Sequence, residues 1–328
     1  MDRRTLRTLL ALLFKAPLAV LLLAVPLTVA AQYPSKPIRL IVPFPPGGAA
    51  ELGARIYAQP LGQALGQTVV IETRPGADGA IAAEATLKAA PDGYTLFYAT
   101  NTAFSWVPAV RKNPPYDPVA DFTPVSLIGE FGFFIFSHPS VPASNIAELF
   151  AHIRANPGKL NYGSGNSTSM LSTAQLVRQE KLDVVHIPYK GDGPLSVDLL
   201  GGRVHFAIAT PGTAAPQVKE GKLRVLATLL PSRSPLLPQA PTLAESGLRA
   251  LSITPWGGVF GPPNMPKDIA VRVSRELAAV LKRPEVREAF QKLAFEPRSS
   301  TPEELAAFVK AQAEVWRRTV AEAGIKPE

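Results

Sequence analysis

The sequence predicts an α/β chain of two lobes, each a mostly parallel sheet flanked by helices, joined by a two-stretch hinge. Three observations predict it. Short continuous apolar runs alternate with helical stretches, the pattern of strands buried on both faces. The alternation occurs twice, in two series separated by long extended stretches. And 328 residues suffice for two buried cores.

The first series opens with the apolar run Ile-Arg-Leu-Ile-Val at 38–42, which reads as a strand. The turn Pro43-Phe44-Pro45-Pro46-Gly47-Gly48 leads into a helical stretch over 49–65. Pro60 lies inside it and must kink the helix or start a second one, because proline lacks the amide the ladder needs. A strand at 68–72, a helix at 80–90, the turn Pro91-Asp92-Gly93 and a strand at 94–99 follow. The apolar stretch 125–137 then leads to the second series: helix 145–155, strand 160–163, helix 169–180, strand 184–188, helix 194–200, strand 204–210, helix 214–220 and strand 224–229. Extended residues 252–261 precede terminal helices. One, over 269–281, carries Ile269, Val273, Leu277 and Val280 as an apolar stripe. The last has a strong start signal in Thr301, Pro302 and Glu304. These helices are expected to pack back on the first lobe. The resulting division is 1–31 as a signal peptide, 32–130 plus 253–328 as lobe 1, and 131–252 as lobe 2.

The signal peptide rests on a basic start, Arg3, Arg4, Arg7 and Lys15, followed by an apolar run over 16–29 and the small-residue site Val29-Ala30-Ala31. The apolar run falls short of the ~20 residues that span a bilayer. An uncleaved anchor is the alternative. The expectation is a soluble mature protein beginning near Gln32, in the periplasm. With no cysteine, the chain has no disulfide, cysteine nucleophile, thiolate metal site or lipobox anchor. The net charge of +8 is spread without a basic run, which argues against nucleic acid as a partner. A mild positive field favours anionic ligands.

Open α/β sheets take ligands beyond the carboxyl ends of their strands. Two loops occupy that position with suitable chemistry. In Pro45-Pro46-Gly47-Gly48-Ala49, glycines allow close backbone approach and the helix start offers unpaired amides, an anion site without a charged side chain. A plain tight turn would look the same. Gly163-Ser164-Gly165-Asn166-Ser167-Thr168-Ser169 adds hydroxyls and an amide to another helix start. Helix capping accounts for one such side chain comfortably and several poorly. Thr100-Asn101-Thr102, after the third strand, is a third candidate.

Catalytic patterns are weak. No Gly-x-Ser-x-Gly elbow surrounds Ser167, and neither a P-loop nor a dinucleotide glycine fingerprint is present. His138, His152, His186 and His205 lack metal-ligand spacing; His186 and His205 fall in strand patterns and read as structural. Asp92 and Asp117 read as turn residues. Lys190 could reach a cleft or simply be solvated.

An ordered set of motifs runs through nearly all of the mature chain. It comprises Val42-Pro43-Phe44-Pro45-Pro46-Gly47-Gly48, Glu72-Thr73-Arg74-Pro75-Gly76-Ala77, Ala90-Pro91-Asp92-Gly93-Tyr94-Thr95-Leu96, Tyr116-Asp117-Pro118 and Asp121-Phe122-Thr123-Pro124-Val125. Asn156-Pro157-Gly158-Lys159-Leu160-Asn161-Tyr162, Pro188-Tyr189-Lys190-Gly191 and Asp198-Leu199-Leu200-Gly201-Gly202 complete it. The set resembles the Bug family, also called TctC, the extracytoplasmic receptors of tripartite tricarboxylate transporters. The resemblance implies a type II periplasmic-binding-protein fold that closes on a small organic carboxylate, without enzymatic activity, cofactor or metal. It implies ligand-binding roles for Phe44, Gly47, Gly48, Ala49, Ser164, Asn166, Ser167 and Thr168; Thr100 and Asn101 join them from the third loop. The implied partners are the membrane subunits of a tripartite carrier or a sensor protein, with the receptor itself a monomer.

Three departures from the family pattern are informative. Ala50 and Glu51 stand where Thr-Asp is usual, Met170 where a histidine commonly follows the Ser/Thr loop, and Thr210-Pro211 where an aspartate is frequent. Fewer polar anchors imply a ligand less polar than a hydroxy-tricarboxylate, such as a monocarboxylate with an apolar or aromatic body. Two other functions stay open: an orphan receptor feeding a sensor, and a periplasmic serine hydrolase using Ser167 or Ser169, which needs a histidine within reach.

Overall fold

β1 (Ile38–Val42) is buried except at Arg39, as a central strand covered on both faces must be. It pairs in parallel with β2 (Val69–Thr73) on one side and β3 (Thr95–Thr100) on the other. The computed structural model describes residues 33–327; the expected signal peptide, 1–31, lies outside them. Helix α1 (Ala49–Leu65) joins β1 to β2, and α2 (Ala80–Leu87) joins β2 to β3. A π-helical turn (Thr102–Trp106) and α3 (Val107–Val110) follow β3. β4 (Thr123–Phe131) then runs directly toward β5 (Phe134–Ser137), the first strand of a second sheet.

The second sheet is built by α4 (Ile146–Ala155), β6 (Asn161–Ser164), α5 (Ser167–Gln179), β7 (Val185–Pro188), α6 (Asp192–Leu200), β8 (Phe206–Ala209), α7 (Pro211–Lys219) and β9 (Arg224–Thr228). The chain returns to the first sheet through β10 (Trp256–Gly261), then forms α8 (Lys267–Val280), α9 (Pro284–Gln291), β11 (Phe295–Pro297) and α10 (Pro302–Glu322). The strand orders are β11-β4-β10-β3-β1-β2 and β7-β6-β8-β5-β9.

Both sheets are mixed, more so than the sequence suggests. The βα units give the parallel trios β2-β1-β3 and β7-β6-β8. The strands next to the two crossings, β4, β10 and β5, pair antiparallel with their neighbours. β10 and β5 arrive from the other sheet rather than through a crossover helix, so no rule forces them parallel, and β4 is antiparallel to β10 because the returning strand inserts between it and β3. The crossings fall between β4 and β5 and between β9 and β10, within and just before the extended stretches the sequence marks.

Each sheet is a central layer with apolar cores against its helices. One face of the first sheet packs Phe97, Phe104, Trp256 and Phe260 against Leu305 and Val309 of α10. Fully burying such a side chain contributes ~1.5–3 kcal/mol. In the second sheet, Ile135, Tyr162, Phe206 and Ile208 meet α4 and α5, while Phe134, Phe136 and Ala207 meet α6 and α7. A small cluster of Ala109, Leu171, Ile253, Trp316 and Val320 draws on helices of both sheets.

Several local expectations change in detail. α1 continues through Pro60 as one helix rather than restarting. α10 begins at the Thr301 cap, where Thr301 and Glu304 exchange the two bonds of a capping box, and packs on β4 and the π-helical turn. α9 and β11 lie where the sequence gives only a helical tail. No helix among the described residues is long and apolar enough to cross a membrane.

Candidate functional site

Because β1, β2 and β3 are parallel, the loops that follow them leave the sheet at one end. They also converge. Gly79, at φ +91°, sits so that a Cβ there would lie 3.0 Å from both Pro43, after β1, and Ala103, after β3. Gly47 likewise takes a left-handed conformation, φ +83°. The amides of Ala49 and Ala50 begin α1 and have no intrahelical acceptor, and the cap residue Gly48 has no side chain to serve them. Phe44, Gly48 and Ala49 are half-buried and Gly47 is exposed. Part of this anion-accepting end is already engaged. Glu51, only 1% exposed, accepts from the Gly47 amide at 3.0 Å and from Arg55 Nε.

Thr100 and Asn101 lie at the next strand end, both 3% exposed. Thr100 Oγ1 is buried with no hydrogen-bond partner. Asn101 is fully used: its Oδ1 accepts from the Trp256 amide at 3.2 Å, and its Nδ2 donates to Thr168 Oγ1 at 2.6 Å. Thr102 Oγ1 lies 3.4 Å from Ser167 Oγ. The loop after β3 in the first sheet thus meets the loop after β6 in the second, 65 and 67 residues apart in sequence.

In that second loop, capping claims different residues from those that face the first sheet. Asn166 caps α5, its side chain accepting from the Ser169 amide, while Ser169 Oγ accepts from the amides of Gly165 and Asn166. The amides of Ser167 and Thr168 open the helix without an intrahelical acceptor. Ser164 is buried, and its Oγ lies 2.7 Å from His186 Nε2. His186 stacks on Tyr162, and burial lowers its pKa below the ordinary value. In this loop the serine that meets a histidine is therefore Ser164, and among the described residues no histidine bonds Ser167 or Ser169.

One residue absent from the sequence candidates belongs here. Asp192, at the start of α6, accepts from Asn166 Nδ2 at 3.1 Å and from Thr210 Oγ1 at 2.7 Å. Its neighbours come from the loops after β6 and β8, the strands flanking that sheet's switch. Burial raises its pKa, opposed by donors from Thr210 and Asn166. In sequence, Gly191-Asp192-Gly193-Pro194 looks like a turn, and nothing local reveals Thr210 as its partner. Lys190 is exposed, while Asp92 and Asp117 bond the amides of Tyr94 and of Val119 as turn residues do. A groove of about 890 Å³ lies away from these loops between α1 and the edge strand β2, beside Arg55, Gln63 and Val70.

Two mixed sheets, crossed twice by the chain, with helix starts from both sheets in contact at their strand ends, define a two-lobed solute-binding protein. The chain belongs to the tripartite tricarboxylate transporter receptor family, TctC, whose description matches residues 54–325. It is 35% identical over 301 residues to Protein BugT of Bordetella pertussis, covering 90% of this chain and 91% of that one. The structure of the periplasmic binding protein BugD aligns with TM-score 0.78 and 32% identity over 90% of this chain and all of that chain. An R. palustris protein solved with adipate aligns with TM-score 0.80 and 32% identity over the same shares.

Proposed function

We propose that this receptor holds a small organic carboxylate between the two sheets and delivers it to the membrane subunits of a tripartite tricarboxylate-type carrier. The observation that carries this reading is the junction of Asn101 and Thr102 with Thr168 and Ser167, which brings the loop after β3 against the start of α5; helix-start amides there suit an anion. The ligand contacts are Phe44, Gly47, Gly48, Ala49 and Thr100 from lobe 1, with Ser164, Asn166, Ser167 and Thr168 from lobe 2. Asn101 acts by joining the lobes. Thr100 offers a buried hydroxyl with unused bonding capacity. Lobe 1 comprises 32–130 plus 253–328 and lobe 2 comprises 131–252; residues 1–31 direct export to the periplasm and are removed. The adipate-bound relative supports a carboxylate as ligand.

Gentle purification followed by mass spectrometry of the retained small molecule tests the ligand class, and a thermal-shift series of organic acids ranks it. A carboxylate that both co-purifies and raises the melting temperature is expected. Stabilisation by no acid in the series overturns the reading. Reconstituted uptake with the membrane subunits, dependent on this protein, distinguishes transport from delivery to a sensor.

A further inference from the structure

A carboxylate stands beside each ligand loop, Glu51 beside the first and Asp192 beside the second, and the two are not equivalent. Glu51 on lobe 1 is tied to the guanidinium of Arg55, so its charge is balanced. Asp192 on lobe 2 has only neutral partners, the Asn166 amide and the Thr210 hydroxyl, and no ion pair to it is found among the described residues. Donors from Asn166 and Thr210 hold both of its oxygens in place. Gly165 makes room for it: a Cβ there would stand 2.3 Å from Asp192 Oδ1. Asn166, which Asp192 holds, immediately precedes Ser167 at the junction between the sheets. Lobe 2 therefore carries a carboxylate with no ionic partner one residue from the junction, through Asn166, whereas the carboxylate beside the lobe 1 loop is balanced by Arg55.

We infer that Asp192 makes the site select monocarboxylates over dicarboxylates, with the ligand's carboxylate on the start of α1 and an amine or other hydrogen-bond donor turned toward lobe 2. This rests on the receptor reading above. A second carboxylate at the far end meets a like charge in a partly desolvated wall, which costs more than the same pair in water. An ammonium there is attracted instead.

The test is calorimetric binding of matched pairs: succinate with 4-aminobutanoate, glutarate with 5-aminopentanoate, adipate with 6-aminohexanoate, and terephthalate with 4-(aminomethyl)benzoate. The wild type is expected to bind the amino member of its best-fitting pair about tenfold or more tightly than the diacid. Asp192→Asn and Asp192→Ser, each checked for native circular dichroism and a cooperative melt, are expected to reduce that ratio by about tenfold or more. Two variants are used because the asparagine amide can clash with Asn166 while serine cannot. Wild-type preference for the diacid, or a ratio unchanged in both variants, overturns the inference and leaves the receptor reading intact. Failure of every acid in the series to bind overturns both.

Discussion

At the scale of residues, the site shows how a polar side chain is assigned by its neighbours rather than by its type. Seven consecutive loop residues, Gly163 to Ser169, look interchangeable as ligand donors in sequence. In the fold, Asn166 and Ser169 exchange the bonds that cap α5, Ser164 meets His186, and Ser167 and Thr168 face the other sheet. His186 has a measurable consequence. Burial lowers its pKa beneath the ordinary histidine value, so the folded state favours neutral imidazole. Below that unfolded value the unfolded chain binds more protons, and stability is lost as pH falls toward the lower folded pKa. His205, shifted the same way by burial first, adds to the effect. Urea unfolding at about pH 7.5 and about pH 5.5 should show lower stability at the acid value. His186→Gln should shrink that difference; an unchanged difference would show that His186 does not contribute. The role of Asp192 was hidden for the opposite reason. Its charge is visible in sequence, but its partners lie 26 and 18 residues away.

At the scale of elements, what could be read from sequence was whatever is encoded locally. The start of α10 is the clearest case. Thr301, Pro302 and Glu304 form a cap within four residues, and the structure places both reciprocal bonds there, with Glu304 N to Thr301 Oγ1 at 3.1 Å and Thr301 N to Glu304 Oε2 at 2.8 Å. Thr301→Ala should lower stability by ~1 kcal/mol and leave ligand affinity unchanged; chemical denaturation checks the first and calorimetry the second. β10 is the contrasting case. Trp-Gly-Gly-Val-Phe-Gly at 256–261 has two early glycines and reads only as extended chain, yet it is buried throughout between β3 and β4. Its pairing depends on residues over 100 positions away, which no local pattern reports. β11 is three residues long and α9 eight, both too short for their periodicity to stand out.

At the scale of the whole molecule, Asn101 is the most economical link between the sheets. One amide bonds the returning strand β10 through Trp256 and the second sheet through Thr168. Asn101→Ala should weaken ligand binding by about tenfold, about 1.4 kcal/mol. Thr168→Val should weaken it as well. In the double variant the two effects should combine non-additively, with a coupling of ~0.5–3 kcal/mol. Simple additivity measured by calorimetry would show that the bridge does not help close the crevice. The two-sheet plan itself was legible, because the βα alternation is written twice. The mixed character of the sheets was not, since it arises from the crossings.

The placement of β10 also sets an order of assembly. The five-stranded sheet is contiguous, built wholly from residues 134–228, and can form as soon as that segment is available. The six-stranded sheet lacks its middle strand until β10 follows, leaving β3 and β4 with bare hydrogen-bonding edges. A chain threaded from its N-terminus therefore finishes its first-made sheet last, and the interval between β4 and β10 is when it most needs protection from neighbours seeking a strand to pair with.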